Sequence, residues 1–123
     1  MVSYDFLVVE DDPALQRMWG KMPLLTGKTI KVVGTLQALE SMLEDATAGC
    51  YILDGKFPRE DSGREDFLAP AALESIRAKH PDARVVLYSD SDGCRQLAHS
   101  EGVDIYQKSI VIRDLVVRLA GQS

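Results

Sequence analysis

Three carboxylates and a lysine follow short apolar runs in this chain. Glu10 and Asp11 come after FLVV, Asp54 after YIL, and Lys108 after VDIYQ, the last run with polar breaks. A hydroxyl, Ser89, follows a fourth run, VVLY. If these runs are parallel strands of an open α/β sheet, the side chains lie beyond the carboxyl ends of the strands, where such sheets bind ligands. Clustered carboxylates repel one another and invite a divalent cation. Mg²⁺ suits the site, because it is held by one or two carboxylates together with waters and phosphate oxygens. A lysine at the rim suits an added phosphoryl group.

The rest of the chain has the alternation needed to place them. Residues 5–9 (DFLVV) read as a buried strand, and Asp12-Pro13 supplies an N-cap residue and a proline at the first helical position. Leu15, Met18, Trp19 and Met22 recur at helical spacing, with Pro23 and Gly27 closing that helix. Residues 29–33 read as a second strand. Gly34 and Thr35 then open a helix carrying Leu36, Leu39, Met42 and Leu43. Residues 50–53 are a short third strand, 55–68 polar and irregular, and 69–79 an alanine-rich helix that stops at His80-Pro81. Residues 84–88 are a fourth strand, 91–101 a helix with Gly102 after it, 103–106 a fifth strand, and 110–120 an apolar helix ended by Gly121. Five β/α units in a row predict a doubly wound parallel sheet with helices on both faces.

With 123 residues the chain fits one domain, expected over residues 1–123. Its net charge of −5 argues against direct nucleic-acid binding. No stretch is apolar enough to span a bilayer, and the start MVSYDFLVVEDD lacks the basic region of a signal peptide. Cys50 and Cys94 lack metal-type spacing and read as reduced thiols in a cytoplasmic protein. His80 and His99 are too isolated for a metal site, and Trp19 reads as packing against the sheet.

Taken singly, each site residue has an ordinary explanation. Acids favour helix N-termini, Asp54 before Gly55 reads as a turn, Ser89 could cap a helix, and most lysines are solvated. Joint placement changes the balance. Acids end strands one and three, a hydroxyl ends strand four and a lysine ends strand five, and in a doubly wound sheet those ends are neighbours.

At this point the chain resembles the response-regulator receiver domains of two-component signalling. LVVEDDPAL is similar to that family's acidic opening, with Glu10 and Asp11 as the pair. YILDGKFP resembles the phospho-acceptor segment, with Asp54 as acceptor and Pro58 four residues on. VVLYSD resembles the segment ending in the phosphate-contacting hydroxyl, Ser89. GVDIYQKS resembles the segment carrying a switch aromatic, Tyr106, and a phosphate-binding lysine, Lys108. No single motif is specific, but the ordered set is. The resemblance runs from about Tyr4 to Ala120. It implies a flavodoxin-like sheet of order 2-1-3-4-5. It also implies phosphoryl transfer from a histidine kinase or phosphotransfer protein onto Asp54. Mg²⁺ would be held by Asp11, Asp54 and the Lys56 backbone carbonyl, with Glu10 acting through water. Ser89 and Tyr106 would reposition together, and helix four, strand five and helix five would meet a downstream protein, a fused effector or a second copy.

Several residues depart from the family pattern. Ser109 replaces the proline that normally follows the lysine and favours a cis peptide there, so either the bond is trans or strain is stored. Asp90 stands where a small residue is usual, and its carboxylate would repel a phosphoryl group unless it faces solvent. The stretch from Gly55 to Ala69 is longer than usual and dense in charge, either a solvated loop or a partner-specific contact. Lys56 could overhang the acceptor and shield an acyl phosphate from water. Val111 and Val117 leave an apolar patch on the last helix, open to dimerisation or docking.

Two other classes stay open. One is a receiver-like docking module that is never phosphorylated. The other is a small phosphohydrolase with Asp54 as nucleophile. Haloacid-dehalogenase-type phosphatases place a second aspartate two residues after the nucleophile, and Lys56 stands there.

Overall fold

The computed structural model describes residues 1–122 and shows why the central strands are so apolar. Strand β1 (Val2–Val9) lies between β2 (Ile30–Val33) and β3 (Ala46–Leu53), parallel to both. Both its faces are covered. Leu7 and Val9 pack with one core cluster, Phe6 and Val8 with the other. A strand buried on both faces needs a continuous apolar run rather than an alternating one. Beyond β3 come β6 (Arg84–Tyr88) and β7 (Asp104–Tyr106), giving the parallel order β2-β1-β3-β6-β7. Helices α1 (Pro13–Thr26) and α5 (Ile112–Gly121) contribute Trp19, Met22, Leu115 and Leu119 to one core cluster. Helices α2 (Leu36–Asp45), α3 (Ala69–Lys79) and α4 (Asp92–Glu101) contribute Leu39, Ile76 and Ala98 to the other. The five-stranded doubly wound fold anticipated from the alternation is thus present, its order corresponding to 2-1-3-4-5.

Local chemistry sets the entry to each site-bearing loop. The Asp12 carboxylate accepts from the Ala14 and Leu15 N–H groups at 2.8 and 3.5 Å and starts α1. Gly27, at φ 73°, ends it by donating to the Pro23 carbonyl. Pro23 lies inside α1 rather than closing it. The helix runs one turn further, where the Thr26 hydroxyl donates to Met22 O at 2.7 Å. At the other end of the chain Gly121 belongs to the last turn of α5, and Gln122 is the residue beyond it.

Two expectations need larger correction. The first and third strands are each eight residues long, because pairing of Val2, Ser3 and Tyr4 with Ala46, Thr47 and Ala48 continues the ladder past the apolar runs. The stretch after Asp54 is not irregular. It forms an antiparallel hairpin of β4 (Lys56–Pro58) and β5 (Glu65–Phe67). Phe57 is fully buried and Leu68 nearly so, which anchors the hairpin to the core. The Arg59 carbonyl accepts from the Gln37 N–H at the start of α2, and the Phe67 ring packs against Gly93 at the start of α4.

Candidate functional site

All four strand ends meet at one edge. Glu10 and Asp11 leave β1, Asp54 leaves β3, Ser89 leaves β6, and Lys108 lies two residues past β7. Backbone bonds fix these exits: Glu10 N–H donates to Val33 O, Asp54 N–H to Val9 O, and Ser89 N–H to Tyr106 O. Glu10, Asp11, Asp54, Lys56, Glu65, Ser89 and Ser91 line a single cleft. Carboxylate oxygens of Glu10, Asp11 and Asp54 come within 4.8 Å of one another.

Glu10 is the buried member, at 2% exposure. Its backbone carbonyl accepts from Gln16 Nε2 at 2.7 Å, and one of its carboxylate oxygens from the Asp12 N–H at 3.3 Å. Lys108 Nζ donates to its other oxygen, Oε1, at 2.8 Å and stands 3.9 Å from Asp54 Oδ2. The same ammonium lies 4.6 Å from the centroid of the Tyr88 ring. Asp54 Oδ1 accepts from the Gly55 N–H at 2.7 Å.

Crowding of acids shows in their protonation. Burial pushes the Asp54 carboxyl up to about 7, helped by the adjacent Glu10 and opposed by Lys108. Asp11 is also raised to about 7, by burial first and then by Glu65, which hydrogen-bonds it. A donor set of hard oxygens that cannot all ionise comfortably is one that a dication relieves, so the residues fit Mg²⁺. Glu65 is the residue that sequence reasoning missed as part of this cleft. Only the fold of the hairpin brings it across to Asp11, and nothing in its sequence neighbourhood signals that approach.

The remaining predicted residues fall as follows. The Ser89 side chain is buried, and its hydroxyl is 3.3 Å from Ser91 Oγ and accepts from the Ser91 N–H at 3.1 Å. Tyr106 is partly buried, with the Arg118 guanidinium 6.0 Å from its ring centroid, and it shares a cleft with Ser89, Ile105 and Ile110. Lys56 is exposed at the rim of the acidic cleft. Among the described residues no peptide bond is cis, so Lys108–Ser109 is trans. The Asp90 carboxylate neither points at the acceptor nor stands idle, because its Oδ1 accepts from the Lys108 N–H at 2.9 Å. Trp19 is fully buried and meets Tyr88 edge-on, as core packing requires. His80 and His99 lie at the ends of α3 and α4. No helix among the described residues is long and apolar enough to cross a membrane.

No family model matches the chain, and no curated protein matches it. Solved structures do. A CheY-like response regulator receiver domain protein from Methanospirillum hungatei is 18% identical, with a TM-score of 0.77 over 99% of this chain and 93% of its own. The receiver domain of a sensor histidine kinase from Pseudomonas aeruginosa, solved with a magnesium ion coordinated in the active site cleft, is 19% identical. Its TM-score is 0.76 over 98% of this chain and 97% of its own. The BeF3-activated receiver domain of nitrogen regulatory protein C is 23% identical, with a TM-score of 0.74 over 99% and 94%. The chain therefore has the fold of the CheY-like response-regulator receiver domains, along essentially its whole length.

Proposed function

We propose that this chain is a phospho-accepting receiver of a two-component phosphorelay. The observation that carries the reading is the meeting of Glu10, Asp11 and Asp54 with the Lys108 ammonium in one cleft at the carboxyl edge of the sheet. A module used only for docking has no need of that set.

Asp54 is the nucleophile. Its Oδ1 is held by the Gly55 N–H, which leaves Oδ2, facing Lys108, to attack. The attack is in line on the phosphorus of a phosphohistidine carried by a histidine kinase or phosphotransfer protein. An Oδ2–P bond forms, the N–P bond breaks, and the imidazole leaves with its electron pair and takes up a proton. Bound Mg²⁺ supplies neutralisation of the charge on the phosphoryl oxygens. Asp11, Asp54 and the Lys56 carbonyl would hold it, with Glu10 acting through water. Lys108 turns from Glu10 to a phosphoryl oxygen. Ser89 donates its hydroxyl to another, and Tyr106 moves toward the cleft it shares with Ser89. This couples a local charge event to the surface of α4, β7 and α5, where a downstream protein, a fused effector or a second copy docks. Val111, just before α5, and Val117, midway along it, stand exposed and open to such contact.

The test is intact mass after incubation with Mg²⁺ and phosphoramidate. One added phosphoryl group, absent in Asp54→Asn, supports the reading. If neither an adduct nor a fluoroberyllate-induced change in backbone shifts is seen, the chain is a phosphorylation-independent docking module. Turnover of a generic phosphate ester would instead mark a phosphohydrolase.

A further inference from the structure

Lys108 sits in a short loop between β7 and α5, and its ammonium must reach Asp54 from there. Besides the Lys108–Glu10 ion pair, three hydrogen bonds among the described residues hold the loop's main chain. The Ile110 N–H donates to Gln107 O at 3.0 Å, the Tyr88 hydroxyl donates to Ile110 O, and the Lys108 N–H donates to Asp90 Oδ1 at 2.9 Å. Of these three, the last alone engages the main chain of Lys108, and it alone uses a charged side chain. Asp90 directly follows Ser89, whose own N–H donates to Tyr106 O two residues before Lys108. A single dipeptide at the end of β6 therefore places the site hydroxyl and grips the backbone of the lysine.

A carboxylate beside a site built for an anionic phosphoryl group is electrostatically unfavourable there. Such a residue needs a compensating task, and the geometry supplies one. Lysine carries its charge on a flexible four-carbon stem, so the ammonium is only as well placed as the backbone beneath it. With that backbone bound to Asp90, Nζ lies 2.8 Å from Glu10 Oε1 and 3.9 Å from Asp54 Oδ2. We propose that Asp90 is a positioning residue, whose carboxylate fixes the main chain of Lys108 so that the ammonium addresses Asp54. The inference deepens the receiver reading and rests on it for its catalytic consequence, though not for the placement of the loop.

Asp90→Asn keeps an acceptor oxygen, whereas Asp90→Ala removes it. Asp90 is exposed, so both variants fold. Two readouts apply: hydrogen exchange of the Lys108 amide without ligand, and the Kd for fluoroberyllate in Mg²⁺. Loss of one charge-assisted hydrogen bond predicts that Asp90→Ala speeds the exchange and weakens fluoroberyllate binding, each by about tenfold. Asp90→Asn stays within about threefold of the parent in both. Adding Asp90→Ala to Lys108→Ala weakens fluoroberyllate binding no further, because Asp90 acts through Lys108. Equal impairment by Asn and Ala, an unchanged amide in Asp90→Ala, or additive losses in the double variant would each overturn the proposal. If the parent binds no fluoroberyllate, the receiver reading fails, and the amide exchange still decides whether Asp90 places Lys108.

Discussion

Ser89 is hydrogen-bonded to Ser91, the residue that caps α4. The Ser91 hydroxyl accepts from the Cys94 N–H at 3.1 Å, while the Ser91 N–H donates to Ser89 Oγ at 3.1 Å. On the receiver reading, a Ser89 hydroxyl drawn to a phosphoryl oxygen on Asp54 would leave that N–H and loosen the cap of α4 with it. Ser91→Ala therefore lowers stability by about 1 kcal/mol. It also raises hydrogen exchange in the first turn of α4, and fluoroberyllate adds less to that exchange than it does in the parent. An equal fluoroberyllate effect in Ser91→Ala and parent would uncouple the cap from the site.

The raised acids predict an unusual pH profile. Asp11 and Asp54 take up protons more readily folded than unfolded, their values near 7 standing above the ordinary 3.8. Their contribution to stability is full below pH 3.8 and is lost as pH rises through about 7. Without metal, Tm falls between pH 5 and pH 8. Mg²⁺ raises Tm more at pH 8 than at pH 5, and Asp54→Asn flattens the metal-free profile. Thermal melts at both pH values, with and without Mg²⁺, check all three.

Gly55 has no room to be anything else. A Cβ there would lie 2.6 Å from Cys94 Sγ and 3.3 Å from Ser89 Oγ. Gly55→Ala costs about 1–3 kcal/mol of stability and slows phosphorylation by shifting Asp54, its neighbour. Cys94→Ala removes the closer obstacle, so the double variant regains stability over Gly55→Ala alone, a non-additivity that denaturant titration measures.

Lys108→Ala strips the buried Glu10 of its partner. The expected loss is about 3 kcal/mol, and Glu10→Gln in the same background recovers most of it. Additive losses in urea titrations would show that the pair does not hold the apo site together.

Lys56, at the rim, is expected to shield an acyl phosphate from water. Lys56→Ala then shortens the phosphorylated lifetime, read as adduct decay by intact mass, and an unchanged decay would count against that role.

The sequence carried the sheet openly, because strands buried on both faces must be apolar throughout, as FLVV and VVLY are. The convergence of Glu10, Asp11, Asp54, Ser89 and Lys108 was legible for the same reason, since strand ends were all that had to be found. The hairpin was hidden. Its strands have three residues each, and the Phe57 that anchors it sits among charges. The partnership of Asp90 with Lys108 was hidden too, because residues 18 positions apart on different loops leave no periodic trace. Pro23 read as a terminator, yet α1 continues for another turn beyond it.

The hairpin also stands beside any approach to Asp54. It rises directly from the residues after Asp54 and rests on the first turns of α2 and α4. Any donor domain that brings a phosphoryl group to Asp54 must leave room for it. On the receiver reading, the hairpin would make the choice of donor partly a matter of sterics, separate from how reactive the acceptor is.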